Sequence, residues 1–119
     1  MLYLSDASLQ YAVARCKERE NYRVGIATHN KESAFEKLTP MLGNEVRKIK
    51  HNPNNMYIKL NNGSDIRFMP ISEYSKGFKI HLLIVDESVD DDFLKSVLLP
   101  CETLEEYERL KRRNNIDIK

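Results

Sequence analysis

The sequence contains no tryptophan, and it has few of the residues that interrupt regular secondary structure or form disulfides: four glycines, four prolines and two cysteines in 119 residues. No linker, repeat or low-complexity tract interrupts it, and this length has room for one hydrophobic core, so we predict a single domain over residues 1–119. The cysteines, Cys16 and Cys101, lack CxxC spacing. Cys16 lies on an apolar helical stripe, which favours a buried, reduced thiol over a disulfide.

Long hydrophobic runs and an excess of one charge are also absent. The longest apolar run, Leu82 to Val85, is far too short to span a bilayer, and the N-terminus lacks the apolar region of a signal peptide. We therefore expect no membrane association and a cytoplasmic location, in a bacterium or an infected host cell. Lys and Arg total 19 against 18 for Asp and Glu, so any DNA binding must come from a local patch. The three histidines are too widely spaced for a zinc site.

Two amphipathic helices are predicted in the first half of the chain. Ser5 is a candidate N-cap, and the apolar residues that follow it recur at helical spacing up to about Arg19. Asn30 is a candidate cap for the second helix, and Gly43 is its predicted stop. Pro40 lies inside the second pattern, so we expect the last turn to kink or end early.

Five segments have the composition of strands. They are Tyr22–Thr28, Val46–Lys50, Met56–Leu60, Asp65–Met69 and Ile80–Val85. The third and fourth alternate around Asn61–Ser64, which predicts a β-hairpin with Asn-Gly turn chemistry. The last is apolar without alternation, as is typical of a strand buried on both faces of a parallel sheet. The fold class we predict is α/β: a mixed, partly parallel sheet of about five strands with flanking helices, in which the first and last strands belong to the parallel core and the hairpin extends it antiparallel.

Two further helices are predicted after the last strand. Asp90–Asp92 lead a short helix and lie where the helix dipole favours acids. Thr103–Glu106 has the spacing of a capping box, and the helix it opens ends in the basic run Lys111–Arg113.

Two adjacent acids, Asp86 and Glu87, directly follow the buried strand. A strand of a parallel sheet delivers the side chains at its carboxyl end to the crevice where ligands bind. Asp86 is therefore a candidate ligand of Mg²⁺, and Glu87 is a candidate catalytic residue that could polarise a water attacking a γ-phosphate. No cofactor is required by the sequence, and Mg²⁺ is the one these acids suggest. The alternative is a buried strand that runs into an acidic helix N-terminus, since Asp90–Asp92 follow.

Four short motifs occur in a set order along the chain. They are Val24–Asn30, Asn62–Phe68, Ser75–Phe78 and Leu83–Glu87. Their order and spacing resemble the ATPase core of the large-subunit terminases of tailed phages and, more distantly, helicase cores. The resemblance covers roughly residues 8 to 90. It implies part of a P-loop NTPase core, with Asp86 and Glu87 at the Walker B position, and a role in DNA packaging with ATP binding.

The phosphate-binding loop of that family is missing from this sequence. Such a loop needs G-x-x-x-x-G-K-[ST], whose backbone amides surround the phosphates while the lysine neutralises them. No glycine here precedes a lysine, residues 1–8 contain no glycine, and Lys76-Gly77 stands in place of the family's Arg-Gly. We therefore expect a non-hydrolysing binding module in phage DNA metabolism or packaging. Two alternatives remain: an ATPase fragment completed by another chain, and a regulator that binds a host or phage protein.

A basic cluster provides the candidate DNA contacts. It consists of Arg47, Lys48 and Lys50, with His51 beside them. Together with Tyr57 or Tyr74, these residues could form a surface that follows phosphates and stacks bases. Solvated surface charge is the alternative interpretation of both this cluster and the run Lys111–Arg113.

No strand-like segment follows the last buried strand. A solvent-exposed edge would leave the main-chain amides and carbonyls of Leu82–Val85 unpaired beside apolar side chains. We expect the hairpin to pair with this strand within the monomer, because the connection from Met69 to Lys79 is long enough to cross over. The alternative is a homodimer or another protein partner at this edge of the sheet.

Overall fold

The computed structural model describes residues 1–103, which form a six-stranded mixed sheet with flanking helices. The strands are β1 Leu2–Tyr3, β2 Arg23–Ala27, β3 Val46–Asn52, β4 Asn55–Leu60, β5 Asp65–Phe68 and β6 Leu82–Val85. The helices are α1 Asp6–Glu18, α2 Lys31–Leu42 and α3 Asp91–Phe93, the last continued by a π-helical turn Leu94–Leu98 and a 3₁₀ turn Leu99–Cys101. The predicted α/β fold class is confirmed. The final helix predicted after Thr103 and its basic run Lys111–Arg113 lie outside the described residues.

The strand order is β1-β6-β2-β5-β4-β3. The first four strands of this order are parallel, and β4 and β3 continue the sheet as an antiparallel meander. The predicted parallel core is confirmed, since Val24 of β2 lies opposite Leu82 of β6. The predicted hairpin is also confirmed as β4 and β5, and Gly63 in its turn has a φ of 86°, which favours glycine. β3 forms a second hairpin with β4 that the sequence did not reveal.

Both long helices begin at the predicted caps. The Ser5 hydroxyl accepts a hydrogen bond from the Ser8 amide, and Asn30 caps α2 in the same way through Ser33. Of the two expectations at Pro40, a kink or an early end, the early end is wrong, because the helix continues to Leu42. The proline leaves the Glu36 carbonyl without its helical N–H donor. The Thr39 hydroxyl donates to that carbonyl instead, at 3.4 Å.

The two faces of the sheet are covered unequally. On one face α1 and α2 pack against all five strands from β6 to β3, and the buried core includes Leu9, Val13, Leu38, Ile26 and Ile58. On the other face a second apolar cluster, built from residues 69–80 and the α3 region, covers only β2 and β6. The half of that second face formed by β5, β4 and β3 has no helix over it among residues 1–103.

Cys16 and Cys101 are both buried and neither forms a disulfide, as predicted for Cys16. Burial raises the pKa of the Cys16 thiol to about 12, so the thiol stays protonated and acts as a small apolar group in the core.

No helix within the described range is long and apolar enough to cross a membrane.

β6 is an interior strand, but the hairpin does not cover it, so that prediction is wrong. The hairpin lies beyond β2, and the other edge of β6 pairs with β1, where Leu2 lies opposite Ile84. Before the residues of β6 that pair with β1, two further amides are satisfied by the segment Cys101–Glu102. The Glu102 carboxylate accepts a hydrogen bond from the Leu83 N–H at 2.6 Å, and the Cys101 carbonyl accepts one from the Ile80 N–H at 2.9 Å. A strand of two residues has no periodicity, so its sequence carried no strand signal.

Glu102→Ala is expected to lower the free energy of unfolding by about 1–3 kcal/mol, because it leaves the Leu83 N–H of a buried strand without its acceptor. Glu102→Gln keeps an oxygen acceptor and should lose less. Glu73→Ala, at an exposed glutamate in a surface ion pair with Lys76, is the control and should stay within about 0.5 kcal/mol of wild type. Urea unfolding measures all three, and a fully stable Glu102→Ala protein would contradict the proposed edge closure.

Candidate functional site

The carboxyl ends of β1, β2 and β6 open onto a crevice of about 430 Å³. Its polar lining residues are Ser5, Thr28, Asn30, Ser33, Lys37, Asp86 and Glu87. Each strand leads directly to one of them, since Ser5 closely follows β1, Thr28 follows β2 and Asp86 follows β6. This is the edge of a parallel sheet at which ligands usually bind.

Asp86 is held in the crevice by two hydrogen bonds. The Ser88 amide donates to Oδ1 at 3.0 Å, and the Thr28 hydroxyl donates to Oδ2 at 2.9 Å. The Thr28 hydroxyl oxygen in turn accepts the Asn30 amide at 3.1 Å. Because both donors favour the charged carboxylate, first Ser88 and then Thr28, they lower the pKa of Asp86. The carboxylate is therefore ionised and fixed in direction.

Glu87 lines the same crevice and is exposed. Asp86 and Glu87 are both more exposed than the β6 residues Leu83 and Val85, whose side chains are fully buried. Their roles as metal ligand and catalytic residue remain predictions.

The donors at Asp86 fit Mg²⁺ in part. A carboxylate and the Thr28 hydroxyl are hard oxygen donors of the kind that Mg²⁺ prefers. Residues 1–103 contain no group of three or more His, Cys, Asp or Glu side chains that could hold a metal ion. Asp86 and Thr28 therefore suit an ion that keeps most of its waters or arrives with the phosphates of a ligand, rather than a site built from protein alone.

The crevice has no phosphate-binding loop. Only Leu4 and Ser5 connect β1 to α1, and a capping box fills the start of the helix: Ser8 N–H donates to Ser5 Oγ at 3.0 Å and Ser5 N–H donates to Ser8 Oγ at 2.8 Å. Lys37, the lysine in the lining, pairs with Asp6 at 2.9 Å. The amide and the lysine that a phosphate would require are thus already bonded within the protein.

A second candidate site lies on the uncovered half of the sheet, which we call the open basic face. Residues opposite each other in neighbouring strands share a face of the sheet. In register, one row across the strands contains Lys50, Tyr57 and Arg67, and the next contains Lys48, Lys59, Asp65 and Arg23. Five of these seven side chains are cationic, although the whole chain has a net charge of only +1.

Asp65 is the one acid of the open basic face, and it is largely withdrawn from solvent. Its side chain is 10% exposed and lies 3.7 Å from Arg23 Nε and 3.9 Å from Arg67 Nη2. Burial raises the pKa of Asp65, and the two arginines act in the opposite direction. The carboxylate therefore positions two arginines and presents little negative charge to a ligand.

Tyr57 places an aromatic ring among these cations. It is partly exposed, and the Arg67 guanidinium lies over the ring, 4.9 Å from its centroid. The pair forms a cation–π contact in the middle of the open basic face.

The structure divides the predicted basic cluster. Lys48 and Lys50 lie on the open basic face with Tyr57, while Arg47 is exposed at a β-bulge in β3. His51 does not belong to the cluster, because it points to the opposite face, where it stacks on Phe35 at 4.4 Å. Its Nε2 lies 2.7 Å from Glu32 Oε1. Tyr74 is 86% exposed in a 3₁₀ turn spanning Glu73–Ser75.

Sequence reasoning missed Arg23, Lys59 and Arg67 as members of the basic face, and Thr28 as the partner of Asp86. The alternation of buried and partly exposed residues along the hairpin strands could have identified Lys59 and Arg67, since both lie between buried residues. For Thr28 the signal was weaker: it ends β2 as Asp86 ends β6, and the preceding residues Ala27 and Val85 pair in register.

Thr28→Val is expected to raise the pKa of Asp86, because the carboxylate loses a donor that favours its charged form. Because the pKa of Asp86 is lower in the folded than in the unfolded state, its ionisation stabilises the fold above about pH 4. This contribution to the free energy of unfolding is lost as the pH falls through the pKa of the folded state. Thr28→Val should therefore lose more stability at pH 7 than at pH 3. Carboxyl ¹³C NMR titration measures the shift. Thr39→Val, on the far part of α2, is the control, and an unchanged Asp86 pKa in Thr28→Val would refute the coupling.

No protein-family model, curated protein or solved structure matches this chain. The resemblance to terminases therefore remains an expectation from short motifs.

Proposed function

We propose that this domain is a nucleic-acid-binding module with a terminase-like scaffold, which acts in phage DNA packaging or DNA metabolism and does not hydrolyse nucleotide by itself. One observation carries the proposal: five cationic side chains converge on the open basic face around Tyr57, while the net charge of the chain is only +1. Charge is thus concentrated on the part of the sheet that no helix of residues 1–103 covers.

These cations suit a phosphate backbone. Lys48 and Lys50 are exposed on the outermost strand, β3, and Arg23 is exposed at the inner end of the face. Cations placed on phosphates release the counterions condensed on the nucleic acid, and this release dominates affinity and makes it depend on salt. A strip that runs across four strands offers several such contacts at once.

The absence of independent hydrolysis is supported by the crevice. The short connection through Leu4 and Ser5 has no room for a phosphate loop, and Lys37 is already paired with Asp6. Asp86 and Glu87 would face a polyanionic nucleotide with negative charge of their own. Only a bridging Mg²⁺ could offset this repulsion.

A second candidate is an ATPase fragment completed by another chain. The ionised Asp86, hydrogen-bonded to Thr28 at the carboxyl edge of the sheet and followed by Glu87, favours it. A partner chain would have to bring the phosphate loop. Mg²⁺-dependent hydrolysis that appears only on mixing with such a partner and disappears in Glu87→Gln would support this candidate. A regulator of another protein is what would remain if neither activity is found.

The double variant Lys48→Gln/Lys50→Gln is expected to weaken binding to DNA and to lower the slope of log K against log salt by about two, because two phosphate contacts are lost. Fluorescence anisotropy with a labelled oligonucleotide at several salt concentrations measures both quantities. Lys17→Gln/Lys95→Gln is the control, since it removes the same charge from α1 and from the turn after α3, away from the face. Equal losses in the two double variants would argue for bulk charge and against this surface.

The isolated chain is expected to show no saturable ATP binding at sub-millimolar concentration, with or without Mg²⁺. The Ser8 amide at the start of α1 is bonded to Ser5, and Lys37 to Asp6, so a triphosphate finds no preformed cradle. Isothermal calorimetry tests this. Micromolar affinity would contradict it and would favour the ATPase fragment.

A further inference from the structure

The open basic face is organised in two rows with different chemistry. The first row, Lys50–Tyr57–Arg67, has an aromatic ring at its centre. The second row is cationic, with Lys48 and Lys59 at one end and Arg23 at the other. The rows are two residues apart along each strand, about 7 Å. This separation is of the order of the distance from a nucleotide base to its own phosphate.

The first row provides a stacking platform. The Tyr57 ring is partly exposed and is already paired with the Arg67 guanidinium at 4.9 Å. Unpaired bases stack on tyrosine rings and on arginine planes, and such contacts tolerate any base because every base has a π-face.

The second row provides contacts for phosphates. Lys48 and Arg23 are exposed, and Lys59 is partly exposed. Asp65 lies between them in register, but its carboxylate is 10% exposed and is flanked by Arg23 and Arg67. The row therefore presents a net positive potential along its length.

The cationic surface of the second row continues beyond the sheet into a groove. Arg23 also lines a groove of about 440 Å³, together with Lys76, Gly77, Phe78 and Lys79. The groove adds two cations and a partly exposed aromatic ring at the end of the second row. A flexible strand could cross the face and enter this groove.

A duplex uses such a surface poorly. It keeps its bases stacked inside and would offer only phosphates to the face, leaving Tyr57 without a base. Reading a major groove usually requires a helix or a two-stranded ribbon that enters it. α1 and α2 pack on the opposite side of the sheet. The β3–β4 hairpin is not a free ribbon, because β4 is also paired with β5 along its other edge. Building on the proposed function, we infer that the open basic face binds single-stranded nucleic acid, with bases on the row of Tyr57 and phosphates on the row of Lys48, Lys59 and Arg23.

The test compares wild type, Tyr57→Leu and Tyr57→Phe by fluorescence anisotropy. The probes are oligo(dT), oligo(rU) and a DNA duplex, each of about 15 nucleotides or base pairs. Wild type is expected to bind a single strand at least about tenfold more tightly than the duplex. Tyr57→Leu should weaken single-strand binding about five- to 150-fold and leave duplex binding unchanged, while Tyr57→Phe retains the ring and the affinity. Tighter binding of oligo(dT) or of oligo(rU) shows whether the face prefers single-stranded DNA or RNA, and either preference supports the inference. Thermal melting checks that both variants fold.

Two results would overturn the inference, and they differ in what they say about the proposed function. Equal affinity for single strand and duplex, with Tyr57→Leu indistinguishable from wild type or weakened equally for both, removes the single-strand assignment and leaves a nucleic-acid-binding module. Failure of the wild type to bind any of the three probes removes both.

Discussion

The register of β2 is the constraint on which both candidate sites depend. β2 pairs in parallel with β6 on one side and β5 on the other. The first pairing ends with Thr28 beside Asp86, and the second places Arg23 opposite Asp65. A slip of one residue would turn every side chain of β2 to the other face. Gly25 leaves room for the apolar segment packed over β2, because a Cβ there would lie 2.7 Å from Ile80 Cδ1 and would require that side chain to shift.

Unequal coverage of the sheet separates the two sites. Among residues 1–103, the long helices pack along one face from β6 to β3, whereas the segment 69–80 and the α3 region cover the other face over β2 and β6. The polar positions of the hairpin therefore remain in contact with solvent, as expected for an antiparallel extension of a parallel core. The crevice lies at the carboxyl end of the parallel strands and the open basic face lies on the hairpin, so a ligand at one leaves the other accessible.

Electrostatics distinguishes the sites as clearly as position does. In the crevice Asp86 is ionised, oriented by hydrogen bonds and accompanied by Glu87, so this site suits a cation or a cation-bound phosphate. On the open basic face the single acid, Asp65, is buried between Arg23 and Arg67 and serves to position them. A phosphate approaching the domain is therefore repelled by one end of the sheet and attracted by one of its faces.

The sequence by itself determined the elements whose signals are local. The caps Ser5 and Asn30, the alternation of the hairpin and the apolar β6 strand each act within a few residues, and each was predicted correctly. Only the tertiary structure decided which strands became neighbours, because that choice depends on burial shared between distant segments. It paired the two-residue strand β1 with β6, brought Thr28 to Asp86, and placed Phe35 of α2 against His51. The open basic face is likewise a product of register, since its cations come from four strands and no local window of sequence contains them together.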